Sequence, residues 1–141
     1  MTWRLPAFLA YRLLAATTAC LCALLGLVFV TAFLDRALFP VFARPLFETD
    51  YWGYYILGVA GTALFAWAGC LVAAARAPEH TPGIGVATAG GLILGAVLRL
   101  LAWYSGEYRA AGEQLRIESA ILLILALAFV WLRPPASHRS P

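Results

Sequence analysis

The sequence predicts an all-α fold: an integral membrane protein built as a four-helix bundle. Three observations carry this. Only 12% of the 141 residues are charged and 63% are hydrophobic, whereas soluble domains carry about 25% charge. The charges cluster, leaving four uncharged intervals: Leu13 to Leu34, Tyr51 to Ala75, Thr81 to Leu98 and Ser119 to Leu132. Within three of these, small residues recur at helical spacing, the pattern that lets backbones approach where no hydrophobic effect draws helices together.

A helix crossing a hydrocarbon core of about 30 Å needs about 20 predominantly apolar residues. The first two intervals are long enough alone. The third reaches full length by running on through Arg99 to Tyr104, and the fourth by starting near Leu115 and taking in Glu118. The spans therefore fall at about 10–34, 53–75, 84–104 and 115–132. Together they make one transmembrane domain, 1–133, ahead of a disordered tail, "PPASHRSP" (134–141). The first span follows Arg4 and Arg12 as a signal peptide would, but its apolar run is too long for a secretory signal, and "ATTAC" makes a poor lipoprotein cleavage site. An uncleaved span is expected.

Orientation follows from arginines in short loops. With the N-terminus inside, Arg4, Arg12, Arg76, Arg133 and Arg139 are cytoplasmic, and Arg36, Arg44, Arg109 and Arg116 lie outside. Both termini are expected in the cytoplasm. The basic residues are all Arg, and with the wealth of Ala and Gly this suggests a bacterial inner-membrane protein. Their scatter among the loops leaves no basic face for nucleic acid. The outer segment "DRALFPVFARPLFETD" is too apolar for a solvated loop and too broken by proline for a span, so it should lie in the interface or over the bundle end. In the second outer loop, Arg109 and Glu113 stand at helical i,i+4 spacing.

The helix contacts are expected along Gly83, Ala87, Gly91 and Gly95 of the third span, along Gly58, Thr62 and Ala66 of the second, and along Ala15, Ala19, Ala23 and Gly26 of the first. Gly90–Gly91 is no nucleotide loop, since no strand precedes it. Cys20, Cys22 and Cys70 fall inside spans and read as buried small hydrophobes rather than a redox pair. His80 and His138 lie in a loop and the tail, so neither a haem nor a metal held between helices is expected, and no cofactor is called for.

The chemistry concentrates at Arg99. It lies about 7.5 Å inside the outer end of its span at 1.5 Å per residue. Helical side chains lean toward the helix N-terminus, so Arg99 leans deeper into the membrane, and an internal partner is favoured over snorkelling. Glu118 enters the next span at similar depth and is the expected partner, because each charge replaces solvation the other has lost. Asp50, Tyr51, Trp52, Tyr54, Tyr55, Trp103 and Tyr104 gather at the same outer half. Most of these aromatics read as an interfacial belt. An ionisable residue inside a span is nonetheless a functional candidate, and the ligand-site set is Arg99, Glu118, Asp50, Tyr54, Trp103 and Tyr104.

Three functions fit these residues unequally. A small accessory or ligand-binding membrane protein, taking a lipid-like or quinone-like molecule, a membrane protein partner or a second copy of itself, demands no catalytic group. An enzyme on a membrane-dissolved substrate would use Glu118 or Asp50 as acid/base and Arg99 to stabilise negative charge. A small multidrug exporter would need a carboxylate in its first span, and Leu13 to Leu34 has none.

The order of features resembles the DoxX-like group of small four-helix bacterial membrane proteins and neighbouring families. The likeness is carried by "YWGYYILGVAG" opening the second span, "GGLILGAVLR" ending in Arg99, and "RIESAILLILALAF" with Glu118 near its start. It implies a four-helix fold and a shared polar pair, Arg99 and Glu118, with no assigned activity. The long apolar segment before Asp50 departs from that group's compact pattern.

Overall fold

The computed structural model describes residues 4–38, 49–105 and 112–132. These form four α-helices and, among the described residues, no strand: α1 Arg4–Leu38, α2 Tyr51–Arg76, α3 Pro82–Ser105 and α4 Gly112–Trp131. All four are long and apolar enough to cross a membrane. The predicted all-α class stands.

The termini follow breakers and caps rather than the edges of the apolar runs. α1 overruns its expected span at both ends, because Pro6 sits in the first turn, where proline is tolerated, and no breaker follows before Pro40. Asp35 and Arg36 do not stop it, and Arg36 in the last turn suits the helix dipole. α2 begins with Asp50 as N-cap: its Oδ1 accepts the Gly53 backbone N–H at 2.8 Å, the capping bond that satisfies a first-turn amide. α3 begins on Pro82, whose missing N–H costs nothing at a first helical position. The outer segment 39–48, the loop residue Arg109 and the tail lie outside the described residues. Glu113 pairs with Arg116 of its own helix, at 3.1 Å.

The chain divides into two compact units. The first holds α1 from Ala15 and α2 as far as Ala73, an antiparallel pair joined by close backbone approach. A methyl group added at Gly26 would stand 2.9 Å from the Gly61 carbonyl oxygen, and one at Gly61 would stand 2.9 Å from the Gly26 carbonyl oxygen. The two glycines face each other with no room for a side chain. Gly58 packs in the same way under Phe33.

The second unit holds the start of α1 up to Leu14 and the chain from Ala74 onward. Here α3 and α4 form the second antiparallel pair. Ser119 is buried and donates to the α3 carbonyl of Ala96 at 3.3 Å as well as to its own Leu115 carbonyl at 2.7 Å. Tyr11 reaches from α1 into this unit. Its ring meets Phe129 edge-on with centroids 6.1 Å apart, and its hydroxyl lies where a Gly85 side chain would begin. Arg12, next along, donates from Nε to the Ala75 carbonyl at 2.8 Å, closing the C-terminal end of α2.

The small-residue stripes need correction. Gly91, expected in a helix contact, is exposed and has nothing within 4 Å of a would-be Cβ, as do Gly83, Gly90 and Gly69. The buried face of α3 is instead Gly85, Thr88, Ala89 and Ala96. Thr62 is also exposed and returns its hydroxyl to the Val59 carbonyl at 2.8 Å. Steps of four residues rotate about 40° on a helix of 3.6 residues per turn. A series such as Gly83, Ala87, Gly91, Gly95 therefore winds around the helix and cannot face one neighbour along its length. Gly95, at its end, does reach α4, against Leu122. The cysteines shift too: Cys20 and Cys70 are exposed and Cys22 is half-buried, so none is a core residue.

These contacts separate glycines that matter to packing from those that do not. Gly61→Ala and Gly26→Ala are expected to destabilise the protein by about 1–3 kcal/mol through overpacking. Gly91→Ala, in open space, is expected to be neutral or to gain up to about 1 kcal/mol of helix propensity. Unfolding in mild detergent, followed by circular dichroism, checks the order. Equal losses at Gly61 and Gly91 would contradict the packing described.

Candidate functional site

The α3–α4 pair positions one polar group that neither helix could tolerate alone. Arg99 lies six residues before the end of α3 and Glu118 six residues after the start of α4, so antiparallel packing brings them level. Arg99 Nε donates to Glu118 Oε2 at 2.8 Å. The other carboxylate oxygen, Oε1, accepts from Gln114 Nε2 at 2.9 Å, one helical turn earlier on α4. Both oxygens of Glu118 thus hold a donor.

The guanidinium is less fully matched. Besides Nε, it uses Nη1, which donates to the Gly95 carbonyl at 3.3 Å. That bond fixes the direction of the side chain. It lies back over the preceding turn of its own helix, away from the α3–α4 connection, as the tilt of helical side chains requires. Pairing therefore wins over snorkelling toward the helix end. The second N–H of Nη1 and both of Nη2 donate to nothing among the described residues. The pair is not sealed in: the side chains of Arg99 and Glu118 are 41% and 38% exposed. The site offers unused donors on an open edge, and each Glu118 oxygen keeps a further lone pair.

The remaining expected residues have other contacts. Trp103, one turn beyond Arg99, takes the Arg116 guanidinium over its ring at 5.4 Å, while Arg116 Nη1 also donates to Glu113. This makes a second cation–anion set nearer the helix ends. Tyr104 is 84% exposed, as a belt residue is. Asp50 and Tyr54 belong to the α1–α2 unit and have duties there. The Asp50 carboxylate caps α2, and Tyr54 is buried. Trp52 and Tyr55 meet edge-on, 6.3 Å between centroids. A shallow apolar groove of about 310 Å³ runs over Gly58 between Val30, Phe33 and Leu34 of α1 and Tyr55, Val59 and Thr62 of α2. Among the described residues no group of three or more His, Cys, Asp or Glu could hold a metal ion.

Gln114, Ser119 and the Gly95 carbonyl were not singled out from the sequence. Gln114 could have been, since it stands four residues before Glu118, where helical side chains meet. The backbone carbonyls that Ser119 and Arg99 use carry no sequence signal.

No family model, curated protein or solved structure matches the chain.

The pair makes a measurable claim. In a double-mutant cycle of Arg99→Leu and Glu118→Gln, unfolding in detergent should show a coupling of about 0.5–2 kcal/mol. Arg99→Leu should hurt more with Glu118 intact than with Gln there. Additive losses would mean the two side chains do not depend on each other.

Proposed function

We propose that this is a multi-pass bacterial inner-membrane protein, both termini cytoplasmic, that binds a lipophilic small molecule through Arg99 at the outer half of the α3–α4 pair. The unused donor edge of Arg99 carries this reading. A guanidinium inside a span with N–H groups that meet no acceptor among the described residues calls for an acceptor from outside the helix pair, because hydrocarbon supplies none. Ion-pair geometry alone, serving only to hold helix register, would be better met by a fork of two parallel bonds to the carboxylate. Here a single bond, from Nε to Oε2, joins the two side chains, and Oε1 takes Gln114.

The enzyme alternative draws less support. Glu118 already accepts a donor on each oxygen, and Asp50 is engaged at the start of α2. Each carboxylate thus already serves a structural contact, which general-base chemistry does not require. A binding or accessory role, with a lipid-like or quinone-like molecule as ligand and a membrane protein partner or second copy as neighbour, makes no such demand. Membership of the DoxX-like group belongs to the same proposal and is consistent with a polar pair between the last two helices.

The protein extracted gently from its own membrane and examined by native mass spectrometry tests this. A discrete added mass is expected on the wild-type chain and should be lost in Arg99→Leu. If the chain carries only mixed bulk lipid, or the added mass survives the substitution, Arg99 is not a ligand contact.

A further inference from the structure

The second unit has a strongly basic end, remote from the Arg99–Glu118 pair. Tyr11 and Arg12 bring the start of α1 against the other three helices there: Tyr11 meets Phe129 and Gly85, and Arg12 donates to the Ala75 carbonyl. The helix ends on this side are the start of α1, the α2–α3 turn and the end of α4. The sequence through and beyond them carries Arg4, Arg12, Arg76, Arg133 and Arg139, with Glu79 as the only Asp or Glu. At the opposite ends of α3 and α4, Arg99 and Arg116 each hold a carboxylate. Arg12 and Arg76 are exposed and form no ion pair among the described residues, and neither does Glu79.

Arg12 is held in one direction. Its Nε donates to the Ala75 carbonyl at 2.8 Å, and its guanidinium carbon lies 5.9 Å from the centre of the Phe8 ring, one turn earlier. Nη1 and Nη2 meet no acceptor among the described residues. Those two groups form the fork that takes two oxygens of a phosphate. Arg76, the last residue of α2, directly follows the carbonyl that anchors Arg12, so the chain supplies a second guanidinium beside the first. The carbonyls ending a helix disfavour an anion. Here Ala75 gives its carbonyl to Arg12, and Ala77 gives its own to the His80 amide and the Thr81 hydroxyl.

The two arginines also mark where the apolar runs stop. Arg12 directly precedes the uncharged interval that opens at Leu13, and Arg76 directly follows the one that closes at Ala75. The Arg12–Ala75 bond sets these two borders level. Both helices are long and apolar enough to cross a membrane, and the anion such a border meets there is lipid phosphate. We infer that Arg12 and Arg76 hold the phosphodiester of an anionic phospholipid. A zwitterionic lipid brings its own ammonium group, which two unpaired arginines repel, so a headgroup of net negative charge is preferred. The site shares no residue with the Arg99 contact and stands whether or not Arg99 meets a ligand.

The test titrates the delipidated full chain, in a neutral detergent, with dioleoyl phosphatidylglycerol or dioleoyl phosphatidylcholine and reads retained lipid by native mass spectrometry. The known lipid masses tell this binding apart from any other ligand. One phosphatidylglycerol should be retained with a preference of about tenfold or more over phosphatidylcholine. Arg12→Gln and Arg76→Gln should each cut that preference about fivefold. Arg36→Gln removes the same charge from the last turn of α1 and should leave the preference in place. A chain that shows no preference, or loses it equally in Arg36→Gln, has no site at Arg12 and Arg76. If sn-glycerol 3-phosphate displaces phosphatidylglycerol at equal concentration, a free phosphate suffices and the lipid assignment is overturned. Arg76→Gln decides even if Arg12→Gln, which loses the bond to Ala75, does not fold.

Discussion

Hydrocarbon offers no partner to a polar group, and that constraint organises this chain from end to end. It explains why the charges are confined to intervals between spans and why the backbone is helical wherever the sequence is apolar. Hydroxyls inside the helices obey it too: Thr31, Thr62 and Thr88 each donate to a carbonyl one turn back. Arg99 and Glu118 are the place where the constraint is met between helices rather than within one. The level placement of the two residues, the Gln114 bond and the Ser119 contact are all ways of meeting it. They fix the register of α4 on α3 more tightly than apolar side chains would, since one aliphatic contact in lipid is much like another.

The other pair solves a different problem. Between α1 and α2 within their unit, close backbone approach is what sets the fit. Gly26 and Gly61 let two backbones come within contact of each other's carbonyls, and Gly58 admits Phe33. Dispersion at such distances is the main attraction available between helices surrounded by lipid. It is sharply dependent on shape, so a single added methyl group matters there and not at Gly91. The glycines of this chain are alike in sequence and unlike in consequence.

That difference marks what could be read without coordinates. The four helices were legible because length and absence of charge are one-dimensional properties. Their ends were not, because Asp35 and Arg36 end an apolar run without ending a helix. The pairing of Arg99 with Glu118 was legible because only one other ionisable residue sits at that depth on the adjoining helix. The packing faces were misread where residues were counted in fours. A regular step of four drifts around a helix, so Gly83 and Arg99, linked by an unbroken series of such steps, end about 160° apart. Which glycine meets a neighbour depends on the neighbour's position, and that is not written in its own segment.

The division of labour at Glu118 bears most directly on function. Had the carboxylate taken Arg99 through both its oxygens, the pair would be closed and its purpose exhausted by register. Instead the carboxylate is shared with Gln114 through Oε1, and the Gly95 carbonyl draws Nη1 toward α3 rather than toward α4. The result is a cation whose charge is cancelled and whose donors are only partly used. Charge cancellation lets the arginine exist inside the membrane, and incomplete donor use leaves it unfinished there.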